Sequence, residues 1–168
     1  MFHRKNSAFE RLVKAYSAEL YRYAYWLCRD RFLAEDLVQE AFARAWSAWA
    51  SLRDEKAART WLYRILHNEH ARLYERKRLE MVEGQELDAL EDRRLQSAFD
   101  EIELRQALHV LPATYREPLL LQVLGGFSCE EIAQLLDLTP GAVMTRLSRA
   151  RLALRRGGTI ANSKGASA

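Results

Sequence analysis

Apolar residues in this chain return every three or four positions and nowhere alternate with period two. Phe9, Leu12, Val13, Tyr16, Leu20 and Leu27 form one such stripe. Leu37, Val38, Ala41, Phe42, Ala45, Trp46 and Trp49 form a second, and Trp61, Leu62, Ile65, Leu66 and Leu73 a third. This period puts each set on one face of an α-helix, whereas a half-buried strand needs strict alternation. Only 7 Gly and 3 Pro punctuate 168 residues, too few for a turn-rich β architecture. The fold class is all-α. Helix breaks are expected near Arg29–Phe32 and in a loop at Ser51–Glu55, and Trp26, Trp46 and Trp49 read as packing residues.

Charge along the chain says more than its total of +3. Residues 1–80 carry 16 basic and 11 acidic side chains, residues 81–100 carry 2 and 6, and residues 101–156 carry 7 and 6. Two helical modules at 1–80 and 101–156 are therefore expected, joined by an acidic linker at 81–100. The small, polar tail 157–168 is expected to be disordered. The two cysteines show no CxxC spacing, so neither a disulfide scaffold nor a zinc ribbon is indicated. No apolar run reaches the roughly 18 residues that span a bilayer. Met1–Ala8 is polar and basic with no apolar stretch behind it, so the expectation is a cytoplasmic protein without a signal peptide.

The sharpest local signal lies near the C-terminus. Ser128 followed by Glu131 is a capping box, and Phe127 with Ile132 is a hydrophobic staple around the same helix start. That helix runs from Cys129 to about Leu136, and Asp137-Leu138-Thr139 makes a short turn. Thr139 caps the next helix, and Pro140 takes its first position, where no N–H is needed. In this second helix Val143, Leu147, Ala150 and Leu154 face inward, while Ala142, Thr145, Arg146 and Arg149 share the opposite face. Arg151, Arg155 and Arg156 extend the positive strip, with no acidic residue between Gly141 and Gly157. The pattern is that of a helix-turn-helix, whose second helix reads base edges in the major groove. The plainer reading is a helical hairpin with a solvated basic face.

The third N-terminal helix mixes cations with rings. Arg59, Arg64, Arg72, Arg76, Lys77 and Arg78 accompany Tyr63, His67, His70 and Tyr74, spaced as one stripe. Trp61 stands at the helix start and Asn68 lies between the cations. Such a surface suits single-stranded nucleic acid, with charges on the backbone and rings on exposed bases; the alternative is a snorkelling surface helix. His67 and His70 have no evident third ligand, so no metal is assigned and no cofactor is called for. On the second helix Asp36, Gln39 and Glu40 form a polar face, either solvated or a docking patch for a basic partner. No nucleophile, Gly-rich loop or metal cluster accompanies these carboxylates, so the chain is not read as an enzyme and no small-molecule substrate is implied.

AEDLVQEAFARAW (Ala34–Trp46), TWLYRILHN (Thr60–Asn68) and FSCEEIAQLLDLTPGAVMTRLSRARLALRR (Phe127–Arg156), in that order, resemble the extracytoplasmic-function class of bacterial RNA polymerase sigma factors. The resemblance implies that 1–80 is a region 2-like domain that binds core polymerase and the −10 element, and that 101–156 is a region 4-like domain that binds the −35 element. Asp36, Gln39 and Glu40 then match the motif that docks on the coiled coil of the polymerase's largest subunit. Trp61, Tyr63, Arg64, His67, Asn68, Arg72 and Arg76 fall on the element that reads and opens the −10 sequence, with Leu52–Ala58 as the loop that receives a flipped base. Ala142, Thr145, Arg146, Ser148 and Arg149 fall on the −35 reader. The implied partners are core RNA polymerase, through its coiled coil and flap, promoter DNA, and an anti-sigma protein, often membrane-anchored in this family. Two departures stand out: Met144 lies where relatives often carry Lys or Arg, and the Leu52–Ala58 loop lacks their common glycine. The rival reading is a non-sigma regulator, a helix-turn-helix on a helical sensor module.

Overall fold

The computed structural model describes residues 2–80 and 99–165, with side chains at 3–80 and 105–156, and every regular element among them is helical. The chain divides into two compact units, Met1–Arg93 and Arg94–Ala168. In the first, α1 (Phe2–Cys28), α2 (Arg31–Ser47) and α3 (Ala58–Glu80) pack together. In the second, α4 (Phe99–Val110), α5 (Ala113–Val123) and α6 (Cys129–Leu136) pack on α7 (Pro140–Gly165).

The break between α1 and α2 has a local cause. Arg29 takes a positive φ of 59°, which ends α1, and Asp30 then caps α2 by accepting hydrogen bonds from the N–H groups of Phe32 and Leu33 at 2.9 and 3.2 Å. Ala34, Ala41 and Ala45 are fully enclosed on α2, and their small side chains let the neighbouring helices approach closely. They meet Leu20, Tyr23, Ala24 and Leu27 of α1 and Leu62, Tyr63 and Leu66 of α3 in the core. Phe9 caps one end of this bundle, edge-on to Phe42, Trp46 and Trp49 with ring centroids 6.4, 5.0 and 5.3 Å away. Trp46 nevertheless keeps 38% of its surface exposed, more than a purely packing residue would.

The second unit is built around Leu108, Leu111, Leu119–Leu121, Phe127, Ile132, Leu135, Val143 and Leu147. Helices α4 and α5 belong to a stretch the periodicity leaves unassigned. Arg116 of α5 is almost wholly buried and donates to the carbonyls of Leu108 at 3.0 Å and Leu111 at 2.7 Å, with that of His109 at 3.5 Å. One guanidinium thus satisfies the last carbonyls of α4, which no helix can satisfy internally. Two expectations about the chain's layout are revised or left aside. Residues 81–98 of the acidic linker lie outside the described residues, while Phe99 and Asp100 already belong to α4. Helix α7 continues to Gly165 instead of giving way to a disordered tail at Gly157, because a formed helix adds a backbone hydrogen bond with each further residue.

Candidate polymerase and promoter interfaces

In the second unit the helix-turn-helix forms as its capping signals require. Ser128 Oγ accepts from the Glu131 N–H at 3.2 Å, and Phe127 and Ile132 are buried beside that helix start. Asp137 adopts a left-handed φ of 56°, and the Leu138 N–H returns to the Ala133 carbonyl at 2.9 Å, closing the end of α6. Thr139 Oγ1 accepts from the Ala142 N–H at 3.2 Å, and α7 starts at Pro140. Inward-facing Val143, Leu147 and Ala150 are buried and Leu154 is half-buried. The outer face presents Thr145, Ser148 and Arg149 exposed and Ala142 and Arg146 half-buried, so all five candidate reader residues lie together along the solvent side of α7. Thr145 spends its hydroxyl proton on the Gly141 carbonyl at 3.0 Å and keeps its oxygen lone pairs outward. Arg151, expected on the same positive strip, instead bonds Gln122 Oε1 of α5.

In the first unit two faces meet. Asp36, Gln39 and Glu40 are all exposed on α2. Beyond them an open groove of about 530 Å³ runs between α2 and α3, lined by Glu40, Ala43, Arg44 and Ser47 on one wall and Trp61, Ile65, Asn68, Glu69 and Arg72 on the other. Trp61 packs one edge on Trp49, centroids 6.4 Å apart, and turns its remaining surface to the groove. An indole, an amide and two guanidiniums around a space larger than one base are the donors and stacking surface that an unpaired nucleotide needs. Arg64 and Arg76 are exposed and His67 is half-buried along the same helix. Among 52–58, Asp54 accepts from the Lys56 N–H at 2.9 Å and starts a short 3₁₀ turn at Glu55–Ala57 that leads into α3.

Tyr63 is the correction. Its ring is 2% exposed and lies 5.3 Å from that of Tyr23, its hydroxyl donates to Glu19, and the Arg59 guanidinium, itself 2.5 Å from Glu19, covers its face. Burial and the neighbouring Glu19 carboxylate push the Tyr63 phenol well above its ordinary pKa of 10.0. It is a core residue and cannot stack on a base. The stripe Tyr63, His67, His70, Tyr74 is not one surface: its start is covered, His67 and His70 are half-buried, and Tyr74 is 47% exposed. The face rotated from it, Trp61–Asn68–Arg72, is the open one. Sequence reasoning also missed Glu69, 8% exposed at its side chain, whose Oε1 receives both Arg44 at 2.5 Å and Arg72 at 3.0 Å.

A three-helix unit with an acidic face beside a cation-aromatic groove, together with a helix-turn-helix unit, is the build of a sigma-70-type RNA polymerase factor. The families described as Sigma-70 region 2 and Sigma-70, region 4 match residues 12–80 and 101–154. The chain is 31% identical to RNA polymerase sigma factor YlaC of Bacillus subtilis over 159 residues, covering 88% of this chain and 90% of that protein. It is 37% identical to the ECF RNA polymerase sigma-E factor of Escherichia coli over 135 residues, 71% and 70% of the two chains. Among solved structures it resembles the sigma factor RpoE of Bartonella quintana, in complex with the anti-sigma factor NepR, at a TM-score of 0.78 and 27% identity, covering 91% and 98% of the chains. It also resembles CnrH, in complex with the cytosolic domain of CnrY, at a TM-score of 0.65 and 27% identity, over 90% and 87%. The chain belongs to the extracytoplasmic-function class of sigma factors and acts in transcription initiation. The sensor module that the rival regulator would have needed is itself the region 2 match. No helix of the described residues is long and apolar enough to cross a membrane.

Proposed function

We propose that this sigma factor divides its work among three surfaces. The exposed face of α2, Asp36, Gln39 and Glu40, docks on the basic coiled coil of core polymerase. The α2–α3 groove holds unpaired −10 bases: Trp61 stacks, Asn68 hydrogen-bonds a base edge, and Arg64, His67, Arg72 and Arg76 follow the phosphates. The outer face of α7, Ala142, Thr145, Arg146, Ser148 and Arg149, sits in the major groove at the −35 element. Holding bases in the groove offsets the few kcal/mol that unpairing costs. The chain makes and breaks no bond; the polymerase does the chemistry, in the cytoplasm where promoter DNA is. Modules 1–80 and 99–156 carry these roles, and 81–98 is the tether between them.

The observation that carries the reading is the exposed acidic face of α2 standing directly beside the open cation-aromatic groove. Because NepR and the CnrY cytosolic domain bind the similar chains, an anti-sigma protein, membrane-anchored in many such systems, is the partner that would hold this factor inactive. Run-off transcription with purified core polymerase, with and without the chain, tests the whole reading. Promoter-specific transcripts are expected only when both are present. Promoter binding of full strength by the chain alone, with no gain from core, would overturn it.

A further inference from the structure

Four charged side chains form an unbroken line from the docking face to the DNA groove. Glu40 Oε1 lies 3.4 Å from Arg44 Nε; the same nitrogen lies 2.5 Å from Glu69 Oε1; and that oxygen receives Arg72 Nη1 at 3.0 Å. The first and last members, each 54% exposed, are surface residues on opposite walls of the groove. The link between them is the buried Glu69 carboxylate, which must keep a cation because an uncompensated buried charge is strongly destabilising. The cluster alternates in sign and is neutral as a whole, so Arg72 is engaged and its charge is matched.

We propose that Arg44 and Glu69 are positioning residues that couple polymerase docking to DNA capture. The proposal rests on the assignment of Glu40 to the polymerase interface and of Arg72 to the −10 strand. In the free chain Arg44 stands between Glu40 at 3.4 Å and Glu69 at 2.5 Å, and Glu69 holds Arg72 by the longer of its two contacts, 3.0 Å. A basic polymerase surface that engages Glu40 returns Arg44 wholly to Glu69. Two guanidiniums then compete for one carboxylate oxygen in a cluster of net charge +1, and the more exposed Arg72 leaves for a phosphate. Because the coupling is a binding free energy, it runs both ways: DNA in the groove strengthens docking by the same factor.

Opposite signs in two variants distinguish this from a packing role. A fluorescently labelled fork-junction DNA with a single-stranded overhang is titrated at low salt with the free chain and with holoenzyme; a phosphate contact needs no particular overhang sequence. Glu69→Gln releases Arg72, so fork binding by the free chain tightens by about fivefold. One further phosphate contact steepens the slope of log affinity against log salt by roughly 0.7. The advantage disappears in holoenzyme, where the wild type is already released. Glu40→Gln, a surface change that needs no refolding of the core, shifts the free chain in the same direction. Arg44→Gln leaves Glu69 wholly to Arg72 and weakens fork binding, most in holoenzyme. Variants that all shift affinity the same way, or by equal factors with and without polymerase, would overturn the coupling. An Arg72→Ala holoenzyme that binds the fork as tightly as wild type would instead overturn the assignment of Arg72 itself.

Discussion

Replacing Arg116 by Ala tests the claim that one buried guanidinium holds α4 against α5. The side chain is 8% exposed and makes two short hydrogen bonds, to the Leu108 and Leu111 carbonyls, and one long one to His109. Bonds from a charged donor contribute about 1.5–3 kcal/mol each, and buried carbonyls left without a donor add a desolvation cost. Counting only the two short bonds gives a loss of about 3–6 kcal/mol. For a module of this size each kcal/mol shifts the melting temperature by about 4 °C or more, so the α4–α7 unit should melt roughly 12 °C or more below wild type. Arg116→Lys should recover only part of this, because an ammonium is a point charge and cannot serve diverging carbonyls as a planar fork does. The measurement is thermal and urea denaturation followed by circular dichroism, with the Trp fluorescence of the α1–α3 unit as an internal reference; all four tryptophans of the chain lie in that unit. A loss below about 1 kcal/mol would show that water replaces the guanidinium at no cost and would refute the capping argument.

The other expectations are briefer. Asp36→Arg should abolish co-purification with core polymerase while leaving the melting curve unchanged, since Asp36 is exposed; a retained complex would count against the docking face. Arg149→Ala should weaken −35 binding by holoenzyme by about 1–3 kcal/mol in a gel-shift titration. Asp137→Val should cost about 1–2 kcal/mol of stability, because the left-handed turn between α6 and α7 excludes a β-branched residue. Tyr63 gives a pH signature. Its folded pKa lies above the unfolded value of 10.0, so the unfolded chain loses that proton first. Its contribution is complete below pH 10 and is lost as the pH rises further. Tyr63→Phe should flatten that alkaline fall in stability without impairing strand opening in permanganate footprinting, whereas Trp61→Ala should impair opening.

What the sequence disclosed follows from the range over which each interaction acts. The helix-turn-helix was legible almost residue by residue because Ser128, Thr139 and Pro140 act on backbone groups within three positions of themselves. Helices α4 and α5 were not, because Leu119–Leu121 is a continuous apolar run and Pro118 reads as a break although it lies inside a helix. The purpose of Arg116 depends on where another helix ends, which no local pattern encodes. On α3 the difficulty is one of rotation. Tyr63, His67, His70 and Tyr74 are spaced as regularly as Trp61, Asn68 and Arg72, and helical periodicity alone cannot say which set α1 will cover. The deciding fact is tertiary: the Glu19 carboxylate of α1 receives both the Tyr63 hydroxyl and Arg59, which ties that side of α3 into the bundle. The opposite choice, turning Tyr63 outward, would leave Glu19 without the phenol and bury the face that carries Asn68 and Arg72. The side of α3 left open is thus set by a residue in α1 some forty positions earlier, and the cations on that side need their own buried counter-charge. Glu69, to which helical periodicity assigns no role, supplies it from within α3, its one carboxylate oxygen holding both Arg44 of α2 and Arg72.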